Sequence, residues 1–322
     1  GVNNESRVYF EELIGCAVSA SDVGIYSDVG FLISAARCAF EDVDEALRPE
    51  FDAQYPSEVK RTPVFVPVIA QALTNRGVAK WREGNSIGSI ADFTAAIGMP
   101  GVPVDQVALA LYNRGVAKGQ SNDCGGAIAD YSAVIELHGA PTEQIAKALV
   151  NRGVARGQNG NRTGAIADYS AAIELPGAPA EQVAKARYNR GVANAQNNDL
   201  KGAIADYSAV IELPGAPAEQ VAKALDNRGV AREKEGDREG ALADFTKAVL
   251  FPGALAEHVA QARNNRGITR GQKGDREGAI IDFTAVIELP GASVEQVAKA
   301  FYNRGIANEM KGDIEGSIAD FS

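Results

Sequence analysis

The tripeptide Asn-Arg-Gly begins at Asn75, Asn113, Asn151, Asn189, Asn227, Asn265 and Asn303, always 38 residues after the previous one. An aspartate follows each triplet at one fixed offset, at Asp92, Asp130, Asp168, Asp206, Asp244, Asp282 and Asp320, and Phe or Tyr follows each aspartate. Arg114, Arg152, Arg190 and their counterparts carry a charge that needs a partner wherever it is buried. Asp130, Asp168, Asp206 and their counterparts are the partners on offer. The pattern predicts a ladder of ion pairs. The competing use is a stripe of arginines that faces a ligand.

Catalytic chemistry finds no comparable support. The two histidines, His138 and His258, stand alone, and neither is expected to serve a metal or an acid–base step. No phosphate-binding loop, dinucleotide fingerprint, nucleophile elbow or zinc pattern occurs. No cofactor and no enzymatic activity are expected. Three cysteines, Cys16, Cys38 and Cys124, are odd in number and widely spaced, so they define no disulfide framework. Cys16 and Cys38 read as free thiols or as one bridge.

The 322 residues are 45% hydrophobic and 23% charged, enough to bury a core without cross-links. Aromatic residues make up only 7%, and alanine and glycine dominate instead, which suits closely packed helices. The formal net charge of −10 argues against nucleic acid, whose binders carry a basic stripe. No apolar run approaches the ~18 residues of a membrane span.

Each 38-residue unit reads as two helices. In the unit around Asn151, Pro141 suits the first turn and Glu143 the positive end of the helix dipole. Ile145, Ala148, Leu149, Gly153 and Val154 recur at helical spacing. The stop falls at Gly84, Asn122, Gly160, Asn198, Gly236, Gly274 and Gly312, residues that tolerate a left-handed C-cap. Asn or Asp comes next in every unit and is a good N-cap for a second helix. That helix, about 163–175, carries Ile166, Tyr169, Ala172 and Ile173 on one face and is broken by Leu175, Pro176 and Gly177. A glycine recurs at Gly88, Gly126, Gly164, Gly202, Gly240, Gly278 and Gly316. Each costs about 1 kcal/mol against alanine, and the row is expected to mark a close helix–helix approach. One such hairpin cannot bury its own apolar faces, whereas a stack can.

These residues resemble the tetratricopeptide repeat family. Leu149 takes the family's bulky position, Gly153 its glycine, Ala165 and Tyr169 its Ala-x3-aromatic, and Pro176 roughly its proline. The unit is longer than the family's usual 34 residues, and arginine stands in every unit where the family has leucine before the glycine. The resemblance implies an all-α, right-handed superhelical solenoid of antiparallel hairpins over residues 67–322, six full repeats and a partial seventh. It also implies a protein or peptide partner held in a concave groove. In the family the asparagine position faces that groove and can bind peptide backbone. Tyr112, Tyr188 and Tyr302 would neighbour it, with Lys147, Lys185, Lys223 and Lys299 one turn earlier, as in part of a carboxylate clamp. The competing role for each asparagine is a bond to the adjacent hairpin.

Residues 1–66 lack the repeat and read as an N-terminal helical cap. The seventh second helix starts at Asp313 and the sequence stops at Ser322. Two readings follow: a piece of a longer chain, or an open hairpin end that takes residues 1–20 of the next molecule, head to tail, in a filament. The first function expected is therefore an interaction scaffold, and the alternative is a structural subunit.

Overall fold

The computed structural model describes residues 66–322, and among them it holds fourteen α-helices and no strand. They run as α1 (Val66–Arg82), α2 (Ser86–Gly98), α3 (Val104–Gln120), α4 (Cys124–Glu136), α5 (Thr142–Gln158), α6 (Arg162–Glu174) and α7 (Ala180–Gln196). The rest are α8 (Leu200–Ile211), α9 (Ala218–Glu235), α10 (Arg238–Val249), α11 (Ala256–Gln272), α12 (Arg276–Ile287), α13 (Val294–Lys311) and α14 (Ile314–Phe321). Odd and even helices pair into hairpins, and the protein is an all-α helical-repeat solenoid. The expected cap over residues 1–66, apart from Val66 at the start of α1, and the Cys16 and Cys38 thiols lie outside the described residues.

The turn inside each hairpin follows from two side-chain types. All seven stop residues have positive φ, from 62° at Asn122 and Asn198 to 91° at Gly236. The next residue then caps the second helix. Asn85, Asp123, Asn161, Asp199, Asp237, Asp275 and Asp313 each accept a hydrogen bond from the backbone N–H three residues on. That N–H belongs to the recurring glycine. Stop and restart therefore take two residues. Pro141 lies just before the first residue of α5, and Pro103, Pro179 and Pro217 are N-caps without a side-chain cap bond.

The recurring second-helix glycine has a different reason from the one expected. A Cβ on Gly164 would meet the Asn161 amide nitrogen at 2.7 Å, and a Cβ on Gly126 or Gly202 would strike the capping carboxylate. The nearest crowding comes from the capping side chain in every unit, and at Gly126 and Gly240 the stem of Lys118 or Arg232 on the first helix adds to it. The close helix–helix approach lies instead at the glycine of Asn-Arg-Gly. A Cβ on Gly153 would meet the Tyr169 ring at 2.5 Å, and Gly77, Gly115, Gly191, Gly229, Gly267 and Gly305 stand likewise against Phe93, Tyr131, Tyr207, Phe245, Phe283 and Phe321. An aromatic ring thus lies flat on bare backbone, which lets the two helices of a hairpin close. Burying each of these rings except that of the half-exposed Phe321 contributes on the order of 1.5–3 kcal/mol.

The described residues divide into two compact units, 66–148 and 149–322. In the first, Ala108, Ala127, Tyr131, Val134 and Ala148 form a core between α3, α4 and the start of α5. In the second, Ala184, Ala203, Tyr207, Val210 and Ala224 join α7, α8 and α9, and Ala260, Ala279, Phe283, Val286 and Ala300 join α11, α12 and α13. Each cluster reaches from one hairpin into the first helix of the next, so the hairpins of a unit are glued in series.

Candidate functional site

The arginine and aspartate of each repeat meet within one hairpin. Arg114 and Asp130 stand 2.6 Å apart, and Arg152–Asp168 and Arg190–Asp206 are both 2.7 Å. Arg76–Asp92, Arg228–Asp244, Arg266–Asp282 and Arg304–Asp320 repeat the contact. In each, Nε and Nη2 of the guanidinium both donate to the carboxylate, the strong two-bond geometry. A second cation one turn on, Lys80, Lys118, Arg156, Arg232 or Arg270, adds to five of the aspartates. The arginine's remaining Nη1 donates to a hydroxyl of the preceding hairpin, as from Arg114 to Thr94, Arg190 to Ser170 and Arg228 to Ser208. With both edges of the guanidinium engaged, the arginines turn inward.

The lysines and tyrosines also have partners. Lys147, Lys185, Lys223 and Lys299 pair with Glu143, Glu181, Glu219 and Glu295 one turn earlier on exposed helix surface. Tyr112, Tyr188 and Tyr302 each lean, at ring-centre distances of 5.9–6.0 Å, on the second-helix aromatic of their own hairpin.

The asparagines divide. Asn227 donates to the Tyr188 hydroxyl at 2.9 Å, and Asn265 donates to Asp226 at 2.9 Å, each reaching back to the preceding hairpin. Asn75 accepts from Gln71 on its own helix. Asn113, Asn189 and Asn303 are half-buried at the equivalent positions, and Asn151 is half-buried beside Arg152.

Within the second unit these residues enclose a concavity of about 370 Å³ lined from α7, α9 and α11 by Tyr188, Asp226, Asn227, His258, Gln261 and Asn265, with Lys223 and Val230. A smaller, more apolar depression of about 220 Å³ adjoins it and shares Asn227 and Val230; Val192, Leu200 and Tyr207 form its floor. Asp226 is the chemical centre of the larger one. It is only 8% exposed, and burial pushes its carboxyl up to about 6, against the pull of the Asn265 hydrogen bond. Burial raises the Tyr188 phenol, the Asn227 bond opposes this, and the Asp226 charge adds to it. The His258 imidazole is lowered by burial and then by the charge of Lys223, with Glu219 and Glu257 opposing. Its buried Nδ1 has no hydrogen-bond partner.

Asp226 and His258 were not expected to form a site together. The signal for Asp226 was a break in the repeat: the residue before each Asn-Arg-Gly is Thr74, Tyr112, Val150, Tyr188, Asp226, Asn264 or Tyr302, and Asp226 alone is acidic. His258 lies on the next first helix, and only the stacking of α9 on α11 brings it near.

The tetratricopeptide repeat model matches residues 112–179 and 151–217 of this sequence. No curated protein matches it. Among solved structures, a tetratricopeptide repeat protein from Parabacteroides merdae aligns with a TM-score of 0.54 at 18% identity, over 78% of this chain and 90% of that one. The C-terminal part of a TPR repeat-containing protein from Cytophaga hutchinsonii gives 0.54 at 15% identity, over 82% and 97% of the two chains. The PilF protein of Pseudomonas aeruginosa gives 0.54 at 12%, over 67% and 90%. At these identities the likeness is one of fold.

Proposed function

Because this chain is a tetratricopeptide repeat protein, we propose that it acts without catalysis, as a scaffold that binds a protein or an extended peptide along the face of its first helices. The observation that supports this most is the joined pair of depressions across α7, α8, α9 and α11. One is polar and rimmed by Asn227 and Asn265, and the other is apolar. A carboxamide donates and accepts, so it can match both the N–H and the C=O of a peptide bond. Apolar floor with a few convergent polar groups is the usual make-up of a recognition site. The ion-pair ladder takes the structural role in this reading, since its arginines are turned inward and engaged.

The lysines make a poor carboxylate clamp here, because each already holds a glutamate. End-to-end assembly through residues 1–20 rests on a segment outside the described residues.

The test is selection of a random dodecapeptide library on the protein, followed by binding of the winners to a variant with Asn189, Asn227 and Asn265 all changed to alanine. Loss of binding with an unchanged helical circular dichroism signal is expected. Winners that bind the triple variant as well as the parent would move the partner to another surface.

A further inference from the structure

We propose that the polar depression around Asp226 receives the cationic end of a lysine or arginine side chain of the partner, with the Asp226 carboxylate as its counterion. The proposal takes the binding face above as given and names what this part of it recognises.

Seven aspartates are buried among the described residues: Asp92, Asp130, Asp168, Asp206, Asp226, Asp244 and Asp282. Six of them hold an arginine of their own hairpin in the two-bond geometry. Asp226 is the exception. Its bond is to the neutral Asn265 amide, and no lysine or arginine among the described residues pairs with it. A buried ion without a partner is costly, and proteins normally avoid it by pairing. Among the described residues every other buried aspartate has a cation, and the unpaired one lines an open depression. A cation arriving from outside completes the set.

The surroundings favour that occupant. The Asn227 amide donates to the Tyr188 hydroxyl oxygen, which keeps a lone pair that can accept from an incoming ammonium or guanidinium. His258 is held toward its neutral form, so it does not repel a cation. Lys223 is the one ammonium on the lining, and Glu219, 2.5 Å away, offsets it at the rim. The adjoining apolar floor of Val192 and Leu200 suits the methylene stem or an aliphatic neighbour of the basic residue. A metal ion fits less well, since no group of three or more metal-ligating side chains occurs among the described residues.

The experiment uses the full chain and the dodecapeptide library named above. Selected peptides should share a Lys or Arg. Replacing that residue by Gln in the synthetic peptide should weaken binding about tenfold or more, the scale of a desolvated charge pair. Asp226→Asn in the protein should weaken the parent peptide by a similar factor and abolish the difference between the Lys and Gln peptides. The peptide change leaves the protein untouched, so a folding defect cannot mimic it. Peptides that need the asparagines but bind equally with Lys or Gln would overturn the cation site and leave the binding face standing. Absence of any binder, or binders indifferent to the asparagines, would overturn both.

Discussion

Asp226 carries a charge that the folded chain holds at a cost, and pH exposes that cost. Its carboxyl, pushed up to about 6 by burial, keeps its proton to higher pH than the ordinary 3.8 of an unfolded chain allows. The raised value means that its contribution favours folding fully below the unfolded value and is lost as pH rises through about 6. At pH 7 the ionised group then opposes folding by something on the order of 3 kcal/mol. Asp226→Asn is expected to melt several degrees higher than the parent at pH 7, and the gap should close toward pH ~4; thermal melts across that range check it. Asp168 is the opposite case, because Arg152 and Arg156 both rest on it. Asp168→Ala strands them and should cost about 3–5 kcal/mol in urea unfolding. Lys147→Ala, which breaks only the exposed pair with Glu143, should cost less than about 1 kcal/mol. The repeat made the Arg and Asp positions legible before any coordinates. It hid Asp226, because a periodic reading attends to what recurs and Asp226 is what does not.

Between helices, the two glycine rows separate two kinds of crowding that look alike in sequence. Gly153→Ala drives a methyl group into the Tyr169 ring and should cost about 1–3 kcal/mol. In Tyr169→Leu, where the ring is gone, the same change should cost much less, and a double-mutant cycle of unfolding free energies reads the difference. Gly164→Ala presses instead on the Asn161 cap, and its cost should approach the ~1 kcal/mol of a lost cap. It should therefore add little on top of Asn161→Ala. Stops, caps and helix lengths were legible because each is encoded by one or two adjacent residues. The destination of a missing Cβ was not, since it depends on which neighbour the folded backbone brings within 3 Å.

Across the molecule, the packing within each compact unit runs between neighbouring hairpins, with lighter contact between successive first helices. Stability in such a stack is a sum of hairpin and neighbour terms, and damage stays near its origin. Asp282→Ala is expected to speed amide hydrogen exchange in α11, α12 and α13 while α7, in the same unit, keeps its parental rates. Uniform acceleration along the unit would show that it unfolds as one body. The solenoid class was legible from the period alone. The polar depression was not, since its walls come from three first helices whose side-by-side contact no single repeat encodes.

The ion pair closes inside one hairpin: its two members are sixteen residues apart, and the guanidinium's outer bond falls on a hydroxyl that the preceding hairpin also carries. A block of 38 residues can therefore be copied in or dropped out with every ladder arginine still paired to its aspartate. The run Gly-Ala-Pro-Ala-Glu-Gln-Val-Ala-Lys-Ala stands unchanged at Gly177 and again at Gly215, as if stamped twice from one die. Lineages of this protein are expected to drift in length by whole units.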